Sequence, residues 1–284
     1  MTGRRWSIRA ATLDDVAQIR SILAEHGNDG PIENADIVGP YVAHLVTNGR
    51  ALVADEDHGL VAFGATVATG RGRHLADLFV RTDQIGRGIG RSLLDAAFGD
   101  DWPRTTFASD DPRALPVYIR AGMFPLGICL YLEGPAASIP RLDGDLAVEP
   151  ADPSRVADLE REWTGIDRSV DHAYWASQAE SDVFVIVDAS RVIAVGHARA
   201  RQVGRARALN RLVVAPAVSP VPPILAALRR AARGGPVMAT FLGTNAAVRP
   251  LLDGGFRIVD RDTFMASEPG LVDPDRLLPN SGLL

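Results

Sequence analysis

The chain of 284 residues contains no lysine; all 30 of its basic side chains are arginines. A Walker-type nucleotide loop needs a Lys-Ser/Thr after its last glycine, so that chemistry is excluded. There is one cysteine, Cys129, and a single thiol forms no internal disulfide, so the fold should not depend on an oxidising compartment. No apolar run approaches the ~20 residues needed to cross a bilayer. Met1 to Trp6 leads into polar sequence without the apolar core of a secretion signal, and a cytoplasmic, membrane-free protein is expected. No histidine–cysteine cluster has metal-ligand spacing. The net charge of −5 argues against non-specific nucleic-acid binding and is compatible with a cationic, amine-bearing substrate. With 46 % hydrophobic residues the chain can build proper cores, and its length suits two domains of about 140 residues each.

The most informative stretch is 75–94. It reads as an apolar strand, a loop punctuated by Gly86, Gly88 and Gly90, and a helix that starts inside the glycines. Glycines let the backbone approach a ligand and turn its amides toward one point. The first helical turn adds unpaired amides and the positive end of the helix dipole. This is an anion site, most naturally for phosphate or pyrophosphate. A dinucleotide fingerprint would want an acidic residue about 20 positions on, and Asp110 and Asp111 fall in that range, so the loop alone does not decide its ligand. Further on, Asp111 is placed to cap a helix beginning at Pro112, and Gly122 to end it.

Strand, glycine loop, helix, strand and capped helix, with Tyr118 four residues before Gly122, together resemble the GNAT superfamily of N-acetyltransferases. That family carries a Q/R-x-x-G-x-G/A loop, matched by residues 85–90 with Ile85 in the first place. Its later N-x-x-A-x-x-x-Y-x-x-x-G-F element is matched by residues 111–123, with Asp111 for Asn and Met123 for Phe. The resemblance implies that acetyl-CoA is the co-substrate. Its pyrophosphate would lie on Ile85, Gly86, Arg87, Gly88, Ile89, Gly90, Arg91 and Ser92, and the strand residues Phe79 and Val80 would bind it further along. It also implies Asp77 as general base, Tyr118 as the acid that protonates the leaving thiolate, and a backbone amide at Phe79 or Val80 as oxyanion donor. Strict alternation would place Leu75, Asp77 and Phe79 on one face of the strand. Phe79 and Leu115 would set the acyl size.

The chain repeats itself. Residues 8–19 match 148–159, Gly64 matches Gly196, 78–80 match 212–214, and Gly122-Met123 match Gly255-Phe256, at a nearly constant displacement. We therefore expect an α+β protein of two tandem acyl-CoA N-acyltransferase-like domains, each a mixed, mostly antiparallel sheet flanked by helices. The first spans 1–134 and is catalytic; the second spans 145–267 and is degenerate; 268–284 is a tail, and 134–140 a proline-bearing linker. Carried across, the glycine loop becomes 217–224 with three prolines, which lack amides; Asp77 becomes Arg211 and Tyr118 becomes Leu251. The second domain should close one side of the substrate cleft.

The function expected is transfer of an acetyl group from acetyl-CoA to a primary amine of a small molecule or peptide. The rival is a non-catalytic protein that binds CoA or a small ligand as a sensor. Other residues carry weaker expectations. Cys129 reads as a core thiol and His74 as a surface histidine at a hairpin end. Trp163, Tyr174 and Trp175 read as packing rather than a substrate cage. Arg199, Arg201, Arg205, Arg207 and Arg211 form either a solvated or interdomain salt-bridge face or, less readily, an anionic-ligand site. Around the first two helices, Glu33, Asp36, Tyr41 and His44 are placed to meet the acceptor, and the two acids to attract a cation.

Overall fold

Apolar residues at helical spacing in 16–23, and β-rich runs separated by glycine turns, fold as the repeat leads one to expect. The computed structural model describes residues 6–70, 72–141, 144 and 146–284; the start of the chain at 1–5 and the boundary expected at 145 lie outside them. The first half runs β1 (Ser7–Ala10), α1 (Val16–Ala24), α2 (Val38–Asn48), β2 (Arg50–Glu56), β3 (Gly59–Thr69), β4 (Gly72–Val80), α3 (Ile89–Phe98), β5 (Arg104–Ala108), α4 (Ala114–Arg120) and β6 (Phe124–Pro135). The second repeats that order as β7 (Ala147–Pro150), α5 (Pro153–Thr164), α6 (Ser169–Ala176), β8 (Asp182–Asp188), β9 (Arg191–Arg199), β10 (Arg207–Val214), α7 (Val221–Ala232), β11 (Pro236–Leu242), α8 (Val248–Asp253) and β12 (Arg257–Ala266), followed by a short β13 (Leu277–Leu278).

Local chemistry sets the helix ends. Asp152 accepts from the Ser154 amide at 2.8 Å and Pro153 occupies the first turn of α5, where its missing amide costs nothing. In α1, Ile19, Ile22 and Leu23 turn inward and pack with Val42 and Leu45 of α2 on β2 and β3.

The pairings β4–β5 and β10–β11 are parallel and the other strand pairs antiparallel, giving the mixed, mostly antiparallel sheets anticipated. The two sheets are not separate. Among the described residues the strands form one sheet in the order β1-β2-β3-β4-β5-β12-β6-β11-β10-β9-β8-β7. Each half lends its last strand to the other: β12 pairs with β5, β6 pairs with β11, and β6 and β12 pair with each other. The halves also share cores, since Trp175 of α6 and Leu283 pack into the α1–α2 cluster.

A buried ionic network fastens this junction. His44 of α2 meets Asp171 of α6 at 2.7 Å, Asp171 pairs with Arg168 at 2.8 Å, and Arg211 pairs with Glu160 at 2.5 Å. Burial works against the Glu160 charge, but Arg211 and His172 hold that carboxyl well below its usual range. Among the described residues no helix is long and apolar enough to cross a membrane.

Candidate active site

β4 and β5 stay together only from Arg73–Arg104 to Leu75–Thr106. Beyond that, β4 continues to Val80 with no strand on that side among the described residues. Opposite β3, Thr66 faces Leu75 but Ala65 faces Asp77, so Ala76 is an extra, bulged residue. Bulges twist a strand and re-aim its side chains. The alternation expected from sequence is corrected here: Leu75 packs with Leu94, Phe98 and Tyr118, whereas Ala76 and Phe79 pack on the α1–α2 side.

The same register sorts the backbone groups. Arg81 N donates to Val61 O at 2.9 Å. Antiparallel alternation then commits Asp77 and Phe79 to the β3 ladder and turns Leu78 and Val80 toward the gap. His26 Nε2 takes the Val80 carbonyl at 2.9 Å, leaving its amide open. The Phe79 amide, expected as an alternative oxyanion donor, is thus spent on the sheet, and the Leu78 amide turns toward the gap with that of Val80.

Next comes the glycine loop. Gly86 and Gly88 have φ of +88° and +81°, a region that disfavours any side chain. Both would project a Cβ into open space, so the loop presents bare backbone. Gly88 caps α3, whose first intrahelical bond runs from Ser92 N to Gly88 O at 3.2 Å. The amides of 85–91 have no acceptor among the described residues. Gly90 lies against Val80, where an added Cβ would come within 3.3 Å of Cγ2. Of the residues expected to hold a cofactor, Arg87 and Ser92 do not line the cleft. The Arg87 side chain turns outward to Glu56 at 2.8 Å.

The gap opens into a cleft of about 1080 Å³ into which Asp77, Phe79, Val80, Ile85, Gly88 and Tyr118 all face. Asp77 Oδ2 is buried and accepts no hydrogen bond from the described residues. Burial pushes its carboxyl up to about 7, opposed by the nearby Tyr41 hydroxyl. Tyr118, on α4, is almost fully buried; burial, then the charges of Asp77, Asp111 and Asp262, raises its phenol well above the ordinary value. Asp111 accepts from the Arg113 amide at 2.9 Å in a turn that precedes α4, so the helix starts at Ala114 without a side-chain cap and not at Pro112 as expected, while Gly122, at φ +84°, follows its end.

The second half supplies the opposite wall through Tyr174, Trp175, Arg199, Asn210 and Asp262, with residues 280–282 beside them. Tyr131 and Asp262, bonded to each other at 2.6 Å, went unsuspected in the sequence, because only strand exchange brings β6 and β12 to the cleft. Of the acceptor-side candidates, Tyr41 lines the cleft. Glu33 instead binds the Gly204 amide at 3.0 Å, Asp36 pairs with Arg20 at 2.9 Å, and His44 belongs to the buried network. His74 is not a surface residue either. It is fully buried against Thr105 at 3.1 Å, and burial lowers it to about 3, so it stays neutral. Cys129 is buried in the sheet and burial raises its thiol, which leaves it unreactive.

The second half keeps the bulge, now at Asn210 between Leu209 and Arg211, but not the opening. β13 pairs with Leu212 and Val213 in the space that is free beside β4. Val214 N, the counterpart of the open Val80 amide, donates to Arg276 O at 2.9 Å. α7 begins with Pro222 and Pro223 in its first turn, Arg211 is locked to Glu160, and Leu251 is buried in the core.

With this geometry in hand, comparison with known proteins is informative. The Acetyltransferase (GNAT) domain family matches residues 47–122, from the end of α2 through α4. The whole chain has the fold of a candidate acetyltransferase from Pyrococcus horikoshii, with a TM-score of 0.72 at 17 % identity, over 100 % of this chain and 96 % of that one. A tandem GNAT protein from the clavulanic acid biosynthesis pathway gives 0.63 at 15 % identity, over 94 % and 100 % of the two chains. A GCN5-related N-acetyltransferase from Anabaena variabilis gives 0.63 at 14 % identity, over 92 % and 72 %. At such identities the likeness is one of fold. No curated protein matches the chain by sequence.

Proposed function

Starting from a chain that folds as two GNAT domains in tandem, we propose that it is an acetyl-CoA-dependent N-acetyltransferase with one working site, in its first half, acting on a primary amine. The observation that carries this reading is the asymmetry between the halves. Amides 85–91 and the β4 edge are open, while their counterparts meet prolines and residues 276–278.

In this reading the pyrophosphate sits on amides 85–91, with the dipole of α3 behind them, and acetyl-CoA supplies the thioester. A lysine-like amine, with a pKa near 10.4, is about one part in a thousand neutral at pH 7. Asp77, poised at about 7, is matched to removing the excess proton. Nitrogen bonds to the acyl carbon, the C–S bond breaks, and the amides of Leu78 and Val80 face the oxygen that carries the passing charge. Tyr118 gives its proton to the departing sulfur and its phenolate recovers one from the nitrogen as the amide forms, leaving the amide, the free thiol and the proton on Asp77. After burial, the nearby Asp77 charge also raises the Tyr118 phenol, so protonating Asp77 makes Tyr118 a better acid at the moment it is needed.

Calorimetric titration with acetyl-CoA tests the reading directly. One site per chain, with thioester loss accelerated by a panel of amines, is the expected result. Two sites would mean that the second half is open, and none would end the acetyltransferase reading. Hydrolysis that no amine accelerates would favour a sensor. Tyr118→Phe should lower turnover roughly tenfold or more, within the range of general acid catalysis, with acetyl-CoA affinity little changed. Unchanged turnover would remove Tyr118 from the mechanism.

A further inference from the structure

Arg199 stands at the end of β9 on the cleft wall built by the second half. Every other cationic arginine lining the cleft has a carboxylate partner: Arg91 with Asp95, Arg113 with Asp111 and Arg261 with Asp110. Arg199 has none among the described residues. Its Nε donates to Asn210 Oδ1 at 3.1 Å and its Nη1 to the Ala200 carbonyl at 3.0 Å, which leaves Nη2 unused. A guanidinium withdrawn from water without an anion is costly, and an anionic ligand would relieve that cost.

Two further donors on the same wall lack acceptors. Trp175 Nε1 and Asn210 Nδ2 are both buried without a partner, in residues that are 1 % and 5 % exposed. The orientation of the Asn210 amide is fixed, because its Oδ1 accepts from both Arg199 Nε and Asn280 Nδ2, the latter at 2.8 Å. Nδ2 is therefore a true unpaired donor. A buried polar group left unpaired costs stability, so these two buried donors, beside an Arg199 Nη2 that has no protein partner among the described residues, indicate what the cleft is built to receive. On the first-half side the unpaired group has the opposite character: Asp77 Oδ2 is an acceptor with no donor. The cleft thus presents an acceptor for a cation on one wall and three donors for an anion on the other.

We propose that the acceptor is a small amine that also carries a carboxylate, as an amino acid does, with the carboxylate held by Arg199, Asn210 and Trp175 and the amine turned toward Asp77. Acetylation of that amine rests on the function proposed above; the carboxylate site does not. Planar guanidinium and carboxylate match in geometry, and two added donors distinguish this site from a surface arginine.

The test is titration of the full chain with the twenty L-amino acids, β-alanine and 4-aminobutyrate, each beside its carboxamide, which keeps the amine and loses the anion. At least one acid should bind roughly tenfold or more tighter than its amide. Arg199→Gln should erase that preference, and Trp175→Phe, which removes the N–H together with the pyrrole part of the indole, should reduce it. Acetyl-CoA affinity should not change in either variant. Acids that bind no better than their amides across the set, or a preference that survives both substitutions, would overturn the proposal. A carboxylate preference without any acetyl-CoA binding would overturn the acetyltransferase reading alone.

Discussion

Asp77→Asn is expected to slow acetyl transfer by roughly 10²- to 10⁴-fold and, at pH 8, to raise the melting temperature. The loss follows from removing the proton acceptor. The gain follows from burial, which lifts the native carboxyl to about 7 from an ordinary value of 3.8. Between those two values the native state binds more protons than the unfolded chain, so stability falls as pH rises through the window. Above it the folded protein carries a charge that the unfolded chain solvates better. Each unit of displacement corresponds to about 1.4 kcal/mol, which sets a ceiling of about 4 kcal/mol on the cost and makes a gain of a few degrees reasonable. Asparagine removes the charge, and the difference from the parent should vanish near pH 4. Thermal scans at pH 4 and 8, run beside steady-state rates, check both halves. An asparagine variant with parental activity would exclude Asp77 as the base, and a stability difference independent of pH would exclude the raised carboxyl.

Gly88→Pro should abolish acetyl-CoA binding. Gly88 sits at φ +81°, which proline cannot adopt, and its amide is one of the open donors. Charge-assisted hydrogen bonds contribute roughly 1.5–3 kcal/mol each, so a loop that loses two of them binds more weakly by about a hundredfold or more even before its distortion is counted. The control lies in the other half. Replacing Pro220, Pro222 and Pro223 together by alanine restores amides to the start of α7, yet it should create no second site. β13 still occupies the space beside β10, and Arg276 O still holds the Val214 amide. Calorimetry reads both variants. A second site after the proline replacements would show that the prolines alone close the degenerate half, and loss of the first would mean that the binding loop lies there.

Much of the fold was legible because it is written in local chemistry. Glycine at 86 and 88, the Asp111 turn with Gly122, and the repeat of apolar spacing each report a short-range need of the backbone. The placement of Asp77 and Tyr118 on one cleft follows from those elements. What escaped detection is set by pairing between distant segments. A bulge at Ala76 defeats alternation because nothing in Leu-Ala-Asp announces an extra residue. His74 looked like a hairpin-end side chain, and is buried because β5 and residue 281 close over it. Glu33 and Asp36 looked like bait for a cation, but their partners, the Gly204 amide and Arg20, come from a turn of the other half and from α1. The repeat likewise counts strands without saying which sheet each joins, so Asp262 and Tyr131 had no route to the site on paper.

The exchange of β6 and β12 also orders events in time. As the chain leaves the ribosome, the first half can pair β1 through β5 but has no neighbour for the outer edge of β5 until residues 257–266 have been made. An unpaired edge is a template for wrong partners, and pairing across such a separation is slow. The glycine loop is therefore complete long before the sheet that carries it. A chain ended near residue 140 would keep every residue of the loop while lacking the strand beside β5 and one wall of the cleft. In synthesis, then, the half whose strand edge is covered by β13 has the last word on the sheet that carries the other half's open glycine loop.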